Sequence, residues 1–148
     1  MKPIFQTKFG GSDAPEAEQG DCIRACLASI FEISLAEAPD FAGEINNGKW
    51  FLHLERWLAE RNLELIILPL AALAAPPLYA PYLEGRKSTT LSVPSDGHVV
   101  VCVNGTVVHD PNPKAQALGD TEEFWFFVCR NPARQPIIDD HTPVKVHP

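Results

Sequence analysis

Three side chains, far apart along the chain, are of the types that thiol-based catalysis needs: Cys22, His98 and Asp110. Cys22 follows Gly20-Asp21 and heads the apolar stretch "CIRACLASIF". A thiol at a helix N-terminus sits in the positive end of the helix dipole, which lowers its pKa and favours thiolate. The competing explanation for any single cysteine is packing, since Cys is small and usually buried. A nucleophilic cysteine needs a histidine to take its proton, a group to hold that histidine in the right tautomer, and donors for the oxyanion. His98 opens an apolar run directly after Gly97, and Asp110 closes the next run directly before Pro111.

The elements that must position these groups are legible in part. Ile23, Cys26, Leu27 and Ile30 recur at helical spacing, and Asp21 is placed to cap that helix. In "HVVVCVNGTVVHD" two β-branched runs flank Asn104-Gly105, the preferred pair for a type I′ hairpin turn. The hairpin carries His98 and Asp110 to the same end of a sheet. A strict two-residue loop pairs Val103 with Thr106 and Val99 with Asp110, which places His98 and His109 on one face and Asp110 on the other. Asp110 can orient His98 only if the strand end twists or bulges, or if the loop is one residue longer.

Around this hairpin, "PIFQTKF" reads as a short extended segment and residues 10–20 as a polar loop. Ser34 with Glu37 forms a capping box for a brief helix ending near Pro39. Asn47 is placed to cap a further helix whose stripe is Trp50, Leu54, Trp57 and Leu58, with both tryptophans in the core and His53 facing solvent. "LELIIL" and "EEFWFFVCR" read as strands. The Pro-rich run 69–94 is expected to be irregular or to hold only short pieces of structure. Helices come first and antiparallel strands follow, so the expected class is α+β, with N-terminal helices packed on an antiparallel β-sheet. One domain is expected over residues 1–132, followed by a polar, Pro-rich tail over 133–148.

Composition narrows the function. The chain has 148 residues, enough to bury a core, and its net charge of -7 with no Lys/Arg run argues against nucleic acid as a partner. The N-terminus lacks a signal-peptide core, and Pro69, Pro76, Pro77 and Pro81 interrupt the apolar stretch 65–83, so no membrane association is expected. A cytoplasmic location follows, in which Cys22, Cys26, Cys102 and Cys129 are free thiols.

Four pieces, "FQT", "GDCIRACLASIF", "GHVVV" and "HDPNP", together resemble the papain-like cysteine peptidases. The likeness is strongest to the C39-like (bacteriocin-processing) branch and its small phage or bacterial relatives. The motifs span most of residues 4–113 but cover few positions. The resemblance implies a papain-like fold, with Cys22 as nucleophile, His98 as general base and acid, and Asp110 as orienter. It implies an oxyanion glutamine on an extended segment before the cysteine, a setting that Gln6 matches better than the nearer Gln19. Many C39-like enzymes have Gly-Pro after the cysteine where this chain has Ile23-Arg24, so the substrate class is not carried over. The ATP-driven export domains of bacteriocin transporters have no counterpart here, so an export-coupled leader peptidase is not the expectation.

The expected activity is therefore that of a cysteine-dependent hydrolase, a peptidase or amidase working through an acyl-thioester on a peptide or protein substrate. No cofactor is implied, and the sequence is silent on oligomeric state. His109, Gln19 and Asp21 are candidate substrate contacts. Cys26 reads as packing, as do Cys102 and Cys129. Two alternatives stand beside this reading. One is a papain-like scaffold without activity, kept as a binding or regulatory module acting on a host or virion protein. The other is a zinc site from Cys22, Cys26, His98 and His109, which the Cys-x3-Cys spacing on a continuous helix makes poor; no metal is expected.

Overall fold

The computed structural model describes residues 1–41, 43, 48–72, 80–89, 97–114, 117–134 and 136. Helix α1 spans Cys22–Phe31 and α2 spans Trp50–Glu60. Five strands follow: β1 Leu63–Pro69, β2 Tyr82–Lys87, β3 Gly97–Val103, β4 Thr106–His109 and β5 Thr121–Cys129. They form one antiparallel sheet in the order β1-β5-β2-β3-β4. The described chain is thus α+β, two helices and a five-stranded antiparallel sheet. None of its helices is long and apolar enough to cross a membrane.

Alanines 25 and 28, Cys26, Leu27, Ser29 and Phe31 make α1 buried on most of its circumference. It ends where Glu32 adopts a left-handed conformation and the Ile33 N–H bonds back to Ala28 O. α2 is more one-sided and buries Leu54, Trp57 and Leu58. These side chains meet Leu83, Val99, Val101 and Trp125 of the sheet in the main core, where Phe31 and Phe41 pack edge-on against Trp57. The opposite face of the sheet carries a second cluster of Tyr82, Val100, Cys102 and Phe124.

The Asn104-Gly105 turn has positive φ at both residues (52° and 73°), the requirement of a type I′ hairpin. Other local expectations need correcting. Asp21 precedes α1 but makes no capping bond. Its buried carboxylate instead accepts from Thr7 N, Thr7 Oγ1 and Lys8 N, all at 2.9 Å. Ser34 and Glu37 close a single turn, with Glu37 Oε2 on Ser34 N at 2.7 Å, and no helix follows. Pro39 has no N–H with which to continue one. The 69–94 run contains β2, the middle strand of the sheet. Residues 73–79 and 90–94 of that run, Asn47, and the tail from 137 onward lie outside the described residues.

The N-terminal segment ties the helical and sheet halves together. Ile4 N donates to Ser29 Oγ of α1 at 2.9 Å, and Gln6 N donates to Pro111 O just beyond β4 at 2.9 Å. His109 Nε2 lies 2.7 Å from Ile4 O, so that nitrogen carries a proton and donates. Asp21 completes the strap at the head of α1. Removing its carboxylate takes the acceptor from all three donors at once. The variant Asp21→Ala is expected to lose about 3 kcal/mol of stability in urea unfolding. A loss below the scatter of surface substitutions, about 0.5 kcal/mol, would show that the strap does not hold α1 in place.

Candidate active site

Cys22 is the first residue of α1, and the first N–H groups of a helix have no intrahelical partner. The strap sets the head of α1 beside the end of the β3–β4 hairpin. His98 is the second residue of β3. The two hairpin strands pair as Val103 with Thr106 and Cys102 with Val107, and then the register shifts so that Val101 faces His109. Val108 is the extra residue. This bulge moves Asp110 to the face of the strand that carries His98, and His98 Nε2 lies 2.8 Å from Asp110 Oδ1. The regular register would have kept them apart.

The same Oδ1 accepts the Asn112 N–H at 2.8 Å, which fixes the carboxylate from the far side. Burial acts to raise the pKa of Asp110. The hydrogen bonds from His98 and from the Asn112 backbone, with the positive fields of His98 and His109, hold it below its ordinary value. Burial likewise acts to lower the pKa of His98. Hydrogen bonding to Asp110 and to Cys22 outweighs it and raises the ring to about 9. Asp110 occupies Nε2, so Nδ1 is the ring nitrogen left for Cys22.

Cys22 and His98 open onto a cleft of about 340 Å³. Gly85, Gly97, Trp50, Trp125 and Glu123 contribute to its walls. Gly85 is required by packing, because a Cβ there would meet Glu123 Cγ at 2.7 Å. Gly97 is not, since its nearest neighbour would be Arg86 O at 3.7 Å. The bare backbone before His98 therefore leaves room in the cleft without serving the fold.

Gln6 is buried, one residue before the Thr7–Lys8 pair that Asp21 holds. Its Nε2 donates to Lys8 O at 2.8 Å, and its Oε1 has no partner among the described residues. The Lys8 carbonyl fixes the orientation, because an oxygen turned toward it would be repelled. One Nε2 hydrogen remains for another acceptor. Gln6 does not line the cleft, and neither do the other candidates, which have partners inside the protein. Gln19 Nε2 donates to Ala14 O at 3.2 Å, Asp21 binds the strap, and His109 binds Ile4 O with its ring edge-on to Phe5.

All four cysteines are free. Cys26 is fully buried and its thiol points to Val99 O at 3.3 Å. Burial first, then the charges of Cys22, Asp110 and Cys102, push its pKa well up. Among the described residues, no three His, Cys, Asp or Glu side chains gather in a way that could hold a metal ion.

Trp50 was expected in the core. It packs on the core's rim, lines the cleft and stacks on Trp125, with ring centroids 6.3 Å apart and planes 15° apart. The sequence reading missed Arg86, Glu122, Glu123 and Trp125 as cleft residues. Arg86 belongs to the unread strand β2. Glu122 reaches the cleft through a second register shift, in which Gly85 faces Glu123 but Arg86 faces Thr121.

The raised pKa means that His98 stays charged from its ordinary 6.5 up to about 9 only in the folded protein. Its contribution to stability is full below pH 6.5 and is lost as pH rises through about 9. Asp110, shifted the other way, contributes above its ordinary 3.8 and loses that contribution as pH falls through its lowered value. An NMR titration of the His98 ring is expected to centre near pH 9 and to move down toward 6.5 in Asp110→Asn. A midpoint unmoved by Asp110→Asn would contradict the pairing. Comparison of the chain with protein-family models, with curated proteins and with solved structures finds no match.

Proposed function

We propose that the protein is a cysteine-dependent hydrolase that cuts a peptide or related amide through Cys22, His98 and Asp110, on a papain-like scaffold. The observation that carries this reading is the 2.8 Å contact between His98 Nε2 and Asp110, with Cys22 and His98 on the wall of one cleft. An oriented imidazole that holds the proton of a sulfur at a helix head is the arrangement that acyl transfer to sulfur needs.

In the first step the Cys22 sulfur, its proton already on His98 Nδ1, bonds to the substrate carbonyl carbon. The carbonyl π-electrons move onto oxygen, where the Cys22 backbone N–H receives the charge. The oxyanion collapses, the C–N bond breaks, and His98 gives its proton to the departing amine. Water then adds to the thioester carbon and leaves a proton on His98. The C–S bond breaks, the bonding electrons go to sulfur, the carboxylic acid departs, and His98 keeps the proton, which restores the starting pair. Asp110 holds the ring with Nδ1 toward Cys22 throughout and stays ionised.

The test is cleavage of an unbiased peptide mixture, read by mass spectrometry, for the wild type, Cys22→Ala and His98→Ala. New termini are expected with the wild type and a loss of about 1000-fold or more with either variant. Acid quenching during turnover is expected to trap an acyl mass on the peptide containing Cys22. Cleavage that survives Cys22→Ala would overturn the reading. Absence of cleavage with stable peptide retention would favour a scaffold used for binding.

A further inference from the structure

We propose that the cleft selects a substrate carrying a cationic side chain, arginine above all, next to the attacked carbonyl, with Glu123 as the residue that reads the charge. This rests on the hydrolase reading and names its substrate class. The argument starts from the charges on the cleft wall. Arg86 is the one cation among the cleft-lining residues besides His98, and its charge is already matched, although its buried Nε has no partner among the described residues. Its guanidinium pairs with the buried Glu84 and donates to Gly119 O at 3.1 Å. His98 is matched by Asp110. The negative charges of Glu122 and Glu123 are left over among the lining residues.

Consecutive strand residues ordinarily face opposite sides of a sheet. Here the register shift opposite Gly85 and Arg86 leaves Glu122 unpaired with β2, and both glutamates border the same cleft. Glu123 is fixed rather than free to wander. Trp125 Nε1 donates to its Oε1 at 2.7 Å, and its chain lies over Gly85, where any Cβ would displace it. Oε2 has no hydrogen-bond partner among the described residues.

The apolar wall completes the site. Trp50 and Trp125 lie nearly parallel on the same cleft. Trp is the strongest aromatic partner for a cation, and a guanidinium both stacks on its face and bonds a carboxylate. A planar cation bounded by indole rings, with a carboxylate held at the edge of one of them, suits arginine better than a neutral or acidic chain. The cleft volume of about 340 Å³ fits one long side chain rather than a folded partner.

The experiment uses two peptidyl acyloxymethyl ketones, identical except for arginine or its neutral isostere citrulline next to the ketone. The Cys22 sulfur bonds to the methylene carbon and the carboxylate leaves with the bonding electrons, so the labelling rate reports productive binding. The arginine probe is expected to label Cys22 about tenfold faster, with the ratio falling toward one in Glu123→Gln and shrinking at high salt. Gln keeps an acceptor for Trp125 Nε1, so this variant removes charge without removing the contact that holds the side chain. Equal rates for the two probes, with labelling still dependent on His98, would overturn the cationic selection and leave the hydrolase reading standing. Failure of both probes to label Cys22 faster than an unfolded control would overturn both.

Discussion

One additional residue in β4 decides whether the site exists. A regular ladder from the Asn104-Gly105 turn would leave Asp110 on the wrong face of the hairpin from His98. Val108 takes up the extra place, the register shifts, and the carboxylate comes within 2.8 Å of the ring. Bulges of this kind are found beside active sites because they re-aim a side chain without breaking the sheet. A second shift in β5 turns Glu122 toward the same cleft. Two local irregularities in an otherwise regular antiparallel sheet thus border one small volume.

Cys22 comes from a different part of the chain and needs its own restraint. Asp21 supplies it by using its carboxylate on Thr7 and Lys8 instead of on the helix it precedes. The same segment bonds Ser29 on α1 and Pro111 beyond β4, so one strap spans the helix that carries Cys22 and the strand end that carries Asp110. His109 joins the strap through Ile4 O. Residues that looked like substrate contacts therefore serve as the ties that bring distant parts of the site together.

The sequence disclosed those features that depend on local patterns. Helical spacing marks α1, and Asn104-Gly105 marks the hairpin, because both obey short-range rules of period and backbone conformation. The face conflict between His98 and Asp110 was also legible, but not the position of the bulge, since no residue type at Val108 announces one. Strand β2 was hidden for another reason. "YLEGRK" holds three charges and a glycine, which reads as loop. In the fold Glu84 and Arg86 neutralise one another, Thr121 Oγ1 adds a bond to Glu84 at 3.0 Å, and Gly85 makes room for Glu123. The last two compensations come from β5, more than 30 residues away, and no local window contains them. Trp50 was misassigned because a tryptophan on the rim of a core has the same helical spacing as one inside it.

The central claim is that His98 and Asp110 act on the sulfur of Cys22. The most direct measurement is the rate at which iodoacetamide modifies each cysteine of the native protein at neutral pH, resolved by mass spectrometry. Cys129 is the internal control, being the other cysteine with partial exposure, while Cys26 and Cys102 are buried. Cys22 is predicted to react about tenfold or more faster than Cys129, and His98→Ala to abolish that lead. Equal rates at Cys22 and Cys129, or a lead at Cys22 that persists in His98→Ala, would contradict the account.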